Sequence, residues 1–234
     1  MLNASEHNWQ KAASAAGTPS SSFLRDNGLS LVLLLCLVGP LVGQVLTGHA
    51  VFNEELARNG APAVPLAQYL TSGHLISSIF ENWESEFLQM GMYVLLTVVL
   101  RQKGSAESRP MRTEQEDEKV DTGPRPWPVR AGGLWKTLYG HSLAIAFGLL
   151  FVISFALHFS GSWRREIAER ALRGEPGMPW TAYLLDPTFW FESFQNWQSE
   201  FLAVLALVVL SIWLRQKDSP QSKPVEAPHS QTGT

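Results

Sequence analysis

Apolar and polar positions are segregated along this chain into long uncharged runs and polar stretches. Residues 29–46 and 143–159 contain no Asp, Glu, Lys or Arg. Runs of this length approach the ~20 apolar residues that a helix needs to cross a bilayer. Two further apolar stretches end at Leu100 and Leu214. The pattern therefore predicts four membrane-spanning helices.

A ten-residue motif occurs twice, where the second and fourth apolar stretches begin. Residues 80–89 read FENWESEFLQ and residues 194–203 read FQNWQSEFLA, an offset of 114 residues. Counting back about 20 residues from the ends of these stretches places the outer boundaries of the two helices near Glu81 and Gln195. The motif is therefore predicted to lie inside the outer part of each helix.

The duplication predicts the fold and the division of the chain. Each unit contributes two spans, so both units enter the membrane in the same direction as a parallel repeat. The predicted fold is all-α and integral to the membrane, with four transmembrane helices as two parallel-repeat helix hairpins. The predicted parts are a disordered cytoplasmic arm at 1–22, a first helix-loop-helix repeat at 23–103, a disordered charged cytoplasmic linker at 104–133, a second helix-loop-helix repeat at 134–217 and a disordered cytoplasmic tail at 218–234.

Charge sets the predicted orientation and excludes one class of partner. The formal net charge is -3, with no dominant basic or acidic field, so no nucleic-acid partner is predicted. Arg101 and Lys103 follow the second apolar stretch, and Arg215 and Lys217 follow the fourth. Lys and Arg beside spans favour the cytoplasmic side. Both termini are therefore predicted to be cytoplasmic, with the two loops outside.

The motif also predicts a polar stripe on one helix face. Residues spaced i, i+3, i+4 and i+7 share a face of a helix, and the polar residues of both copies have this spacing. Gln44 and His158, also 114 residues apart, lie at a similar depth in the first and third helices. The predicted binding residues are Asn82, Ser85, Glu86, Gln89, Asn196, Ser199, Glu200, Gln44 and His158.

Two interpretations of this stripe remain open. Polar side chains between membrane helices often act only as hydrogen-bonding contacts, whereas ionisable residues in a membrane often mark functional sites. We expect a non-enzymatic integral membrane protein whose stripe packs the hairpins together or docks a partner. The alternative is a small transporter or proton-coupled permease using Glu86 and Glu200, and a membrane enzyme is the third possibility.

Motifs for other chemistry were not found in the sequence. Cys36 is the single cysteine, and there is no HExxH, Gly-rich phosphate loop or nucleophile elbow. We therefore predict no catalytic residue, no metal ligand and no cofactor. The predicted partners are the lipid bilayer and either a second copy of the chain or another membrane protein.

The two motifs, with LRQKGS at 100–105 and LRQKDS at 214–219, resemble a family of bacterial multi-pass membrane proteins defined by a domain of unknown function. The resemblance covers about residues 23–224, without much of the central linker. The family motif tends to read ENWQSEF, so Glu84 stands where Gln is usual in the first copy and Gln195 where Glu is usual in the second. The resemblance implies a bacterial inner-membrane location and supplies no activity.

Overall fold

The secondary structure is helical, without strands, throughout the part of the chain that the computed structural model describes, residues 23–112, 120 and 122–233. The helices are α1 (Phe23–Asp26), α2 (Gly28–Arg58), α3 (Leu66–Tyr69), α4 (Gly73–Val99), α5 (Trp127–Ala131), α6 (Gly133–Gly140), α7 (Ser142–Leu172), α8 (Trp180–Tyr183) and α9 (Pro187–Leu210). The predicted all-α class is confirmed for these residues. The predicted arm at 1–22 lies outside the described residues, as do residues 113–119 and 121 of the predicted linker.

Two helices, α2 and α7, are long and apolar enough to cross a membrane. Helices α4 and α9 do not meet the same criterion, because the polar motif lies in their N-terminal halves and lowers their apolarity. Length and composition therefore support two spans rather than the four that were predicted.

Helices α4 and α9 both begin eight residues before the starts predicted from apolar length. The Ser72 side chain accepts a hydrogen bond from the Leu75 N–H at 3.2 Å. Asp186 accepts one from the Thr188 N–H at 2.8 Å, and Pro187 occupies the first helical position. Such caps satisfy N–H groups that have no partner within the helix. These caps determine where the two helices begin. The length of an apolar stretch contains no information about them.

The long helices pack unequally. The chain divides between residues 51 and 52 into two units, and the described part of the first holds α1 and most of α2. In the second unit, α7 packs closely along α4, and α9 packs on α4 less extensively. A Cβ atom added to Gly161 of α7 would lie 2.6 Å from the Ser77 backbone nitrogen of α4. The two backbones therefore touch, as small residues allow between helices.

The C-terminal tail folds onto the ends of α4 and α9. Lys223 is buried, and its ammonium donates hydrogen bonds to four backbone carbonyls, those of Gly104, Ile212, His229 and Gln231. Composition predicted disorder for 104–133 and 218–234, and this division of the chain stays a prediction. Helix α5 lies within the range of the predicted linker and begins at Trp127 with a proline in its first turn.

Lys223→Met is expected to release this tail. Hydrogen bonds to a charged group contribute about 1.5–3 kcal/mol each, and 1.4 kcal/mol corresponds to about tenfold in an equilibrium constant. Proteinase K digestion followed by mass spectrometry should show cleavage after residue 217 accelerated at least about tenfold. Lys217→Met is the matched control, because Lys217 is exposed. Equal resistance of the two variants would contradict this role of Lys223.

Candidate functional site

Five charged or ionisable side chains meet where α4, α7 and α9 come together. Glu81 and Glu84 extend from α4, His158 and Arg165 from α7, and Glu192 from α9. We call these five residues the charged cluster. Glu81 and Glu84 are three residues apart, so they lie on one face of α4. His158 and Arg165 are seven residues apart and lie on one face of α7. Glu84 and His158 are both 0% exposed.

His158 lies between carboxylates of two different helices. Its Nδ1 atom is 3.1 Å from Oε2 of Glu84, and its Nε2 atom is 4.0 Å from Oε2 of Glu192. Arg165 donates a hydrogen bond to Oε1 of Glu192 at 2.6 Å. Arg165 and Glu192 retain about a fifth of their side-chain exposure, so the cluster is closed around His158 and partly open on the Glu192 side.

The two copies of the repeated motif contact each other inside this cluster. Asn196 donates a hydrogen bond to Oε1 of Glu81. The Trp197 indole N–H donates to Oε1 of Glu84 at 3.2 Å. Each α4 carboxylate therefore has one oxygen held by an α9 side chain.

Aromatic rings form one wall of the cluster. Phe189 is 0% exposed, and its ring centroid is 5.2 Å from that of His158. The Tyr183 hydroxyl is 2.6 Å from Oγ of Ser162, which also donates to Oε2 of Glu192 at 3.3 Å. Burial raises the pKa of Tyr183 and the Glu192 carboxylate adds to the rise, although the bond with Ser162 works against it. Tyr183 is therefore a neutral hydrogen-bonding group at physiological pH.

Several predicted binding residues lie in or beside the cluster. His158 is at its centre, and Asn196 binds Glu81. Gln89 is buried and donates to the backbone carbonyl of Glu200 at 3.4 Å, a further link between α4 and α9. Ser85 is buried as well, but its hydroxyl donates to a carbonyl of its own helix.

Other predicted residues lie elsewhere. Asn82 and Ser199 are exposed, and their side chains donate to carbonyls of their own helices. Glu86 is exposed and interacts with the carboxyl group of Glu200. Gln44 is half-buried on α2, in the first unit.

The face of α4 that carries Glu81 and Glu84 is rotated from the predicted stripe. At about 100° per residue, the stripe centred on Asn82, Ser85 and Glu86 lies roughly a third of a turn from that face. Glu81, Glu84, Arg165 and Glu192 were not among the predicted binding residues. A usable signal was present, because these residues differ in type from their counterparts 114 positions away, which are Gln195, Gln198, Val51 and Ser78.

Comparison with known proteins places the chain in one family. A family model described as "Domain of unknown function (DUF6766)" matches residues 20–234. No curated protein matches the chain, and no solved structure matches it. The family match covers both copies of the motif and all five residues of the charged cluster.

Proposed function

The chain belongs to the DUF6766 family, a domain of unknown function, and we propose that it is a non-enzymatic integral protein of the bacterial inner membrane. Four helices cross the bilayer as two parallel hairpins, with both termini in the cytoplasm. The charged cluster lies toward the outer side and fastens the hairpins together. The resemblance of the ENWESEF and QNWQSEF motifs to those of bacterial membrane proteins supports the location.

Exposed apolar surface supports the spanning of all four long helices. Large apolar side chains of α2 and α7, such as Leu35 and Leu149, are exposed over many turns. Water-soluble proteins rarely expose apolar patches larger than a few hundred Å², whereas lipid accommodates them. The C-terminal halves of α4 and α9 expose apolar side chains in the same way, including Leu95 and Leu205. Glu84, which makes α4 less apolar, is fully buried and would not meet lipid.

Helix positions support the duplication. Gly28 and Gly73, where α2 and α4 begin, are 114 residues before Ser142 and Pro187, where α7 and α9 begin. Helices α3 and α8 are separated by the same offset. A duplicated hairpin gives this regularity, and two unrelated hairpins would not be expected to do so.

The observation that carries the proposed packing role is the position of Glu84. One oxygen of this buried carboxylate lies 3.1 Å from His158 on α7, and the other accepts from Trp197 on α9. A single side chain of α4 thus contacts both long helices of the second hairpin. Within a membrane, such a carboxylate requires partners because the hydrocarbon offers none, so the cluster favours one packing of the helices.

Cysteine labelling in intact cells tests the topology. In a Cys36→Ser background, Asn59→Cys and Glu175→Cys probe the two outer loops, and Lys103→Cys and Lys217→Cys probe the basic ends of α4 and α9. All four positions are exposed. We expect a membrane-impermeant maleimide to label 59 and 175 directly, and 103 and 217 only after permeabilisation. Labelling of 59 and 103 from the same side would show that α4 does not cross.

A further inference from the structure

Three side chains of the charged cluster present metal-binding atoms to one point. One ligand atom each of Glu81, His158 and Glu192 lies within 4.8 Å of the others. Ligand atoms bound to one tetrahedral Zn²⁺ are about 3.4 Å apart, given bonds of about 2.1 Å. Rotation about the side-chain bonds of the two glutamates would bring these atoms closer together.

The imidazole of His158 has an available ligand atom. His158 is 0% exposed, and its Nε2 atom makes no hydrogen bond with the described residues. Its Nε2 atom faces Glu192 at 4.0 Å, which is too long for a hydrogen bond. A buried ring nitrogen without a partner is costly, and coordination of a metal ion would satisfy it.

The neighbouring groups orient the ligands as they do in known metal sites. Glu84 lies 3.1 Å from Nδ1 of His158. A carboxylate that accepts the Nδ1–H proton fixes the tautomer and leaves the Nε2 lone pair for the metal. Asn196 and Arg165 each hold one oxygen of a ligating glutamate, Glu81 and Glu192 respectively. The second oxygen of each carboxylate can therefore turn toward a shared ion.

The charge of the cluster also matches a divalent cation. Glu81, Glu84 and Glu192 carry three negative charges when ionised, and Arg165 supplies one positive charge. With neutral His158 as a ligand, the surplus is two negative charges. A divalent ion balances this surplus in a region where unbalanced charge is expensive.

We propose that Glu81, His158 and Glu192 bind one divalent transition-metal ion, with Zn²⁺ the best fit, and that Glu84 positions His158 for it. An imidazole ligand favours Zn²⁺ over Mg²⁺ and Ca²⁺, which prefer all-oxygen sites. No metal ligand was predicted from the sequence, because these ligands come from three separate helices and form no contiguous motif. The site goes beyond the packing role and does not depend on the number of spans.

Metal titration of the untagged full-length protein in detergent tests this site. After dialysis against EDTA and removal of the chelator, calorimetric titration with Zn²⁺ should give one ion per chain, and the midpoint of thermal unfolding should rise. Mg²⁺ and Ca²⁺ should produce neither effect. Absence of saturable Zn²⁺ binding, or an equal response to Mg²⁺, would overturn the proposal.

Three variants distinguish a metal ligand, a residue that positions a ligand, and a residue outside the metal site. Glu81→Gln should weaken Zn²⁺ binding at least tenfold, because an amide is a poor ligand. Glu84→Gln should weaken it about 10–100-fold while keeping one ion per chain, as for other groups that orient a ligating histidine. Glu86→Gln should leave affinity unchanged, because Glu86 is an exposed carboxylate of the same helix. Equal affinity in Glu81→Gln and Glu86→Gln would contradict the assignment.

X-ray absorption at the zinc edge tests the site on the wild-type protein, so its result does not depend on whether a variant folds. The wild-type protein loaded with Zn²⁺ should show one imidazole among nitrogen and oxygen ligands. A spectrum without an imidazole contribution would overturn the site even if zinc bound elsewhere.

Discussion

Replacing Gly161 with leucine is expected to separate α7 from α4 and to destabilise the folded protein by about 3 kcal/mol, the upper part of the range for overpacked cores. Even one Cβ atom at this position would lie 2.6 Å from the Ser77 nitrogen and 3.1 Å from the carbonyl carbon of Ile76. These are backbone atoms, which cannot rotate away as the end of a side chain can. The helices must therefore move apart. Thermal unfolding in detergent, followed by near-UV circular dichroism of the aromatic residues, measures the loss.

Gly148→Ala is the control for this prediction. Gly148 lies on the same helix, and a Cβ atom there would meet nothing within 4 Å. Alanine is favoured over glycine inside a helix by about 0.5–1 kcal/mol, so stability should stay equal or rise. If Gly161→Leu melts at the wild-type temperature, the close approach of α4 and α7 is wrong.

Glu84→Ala is expected to weaken the packing of α4 against α7 and α9 by roughly 2–6 kcal/mol, because two groups lose their carboxylate partner and each such loss costs about 1–3 kcal/mol. These groups are the His158 imidazole, which is fully buried, and the Trp197 indole N–H. Unfolding should be measured in EDTA, so that a bound metal ion does not contribute. The fluorescence of Trp197 should also shift as its environment opens.

Two matched variants test whether the loss of stability in Glu84→Ala comes from the buried carboxylate. Glu84→Gln keeps an oxygen that can accept from Trp197, so its loss should be smaller than that of Glu84→Ala. Glu86→Ala removes an exposed carboxylate two residues away and should change stability by no more than about 0.5 kcal/mol, as for most surface substitutions. Equal losses in Glu84→Ala and Glu86→Ala would show that burial of Glu84 does not matter.

The apolar pattern was sufficient to predict the helices but not their ends. Runs without charge located α2 and α7 directly, because lipid-like segments differ from polar loops over many residues. The starts of α4 and α9 depend on local hydrogen bonds at Ser72 and Asp186. Those bonds involve single polar side chains, and an average over about 20 residues does not detect them.

The predicted stripe and the charged cluster occupy the same stretch of the chain but are centred on different faces of α4. The prediction emphasised positions that are identical in both repeats, such as Asn82 with Asn196 and Ser85 with Ser199. The charged cluster is built from positions at which the repeats differ, including Glu84 opposite Gln198. Helix α4 has neighbours on both α7 and α9, whereas α9 is largely exposed. Equivalent residues therefore occupy different environments, and only the three-dimensional packing reveals which copy faces inward.

The separation of the cluster along the chain has a consequence for biosynthesis. Glu84 is synthesised 74 residues before His158, its buried partner in the finished protein. At about 5–20 residues per second, the ribosome needs roughly 4–15 s to supply that histidine. In the proposed four-span topology, α4 would carry carboxylates without their partners during this interval, which makes it a poor candidate for early release into lipid. That topology therefore predicts that the first hairpin stays beside the insertion machinery until α7 emerges, and that the two halves leave it together.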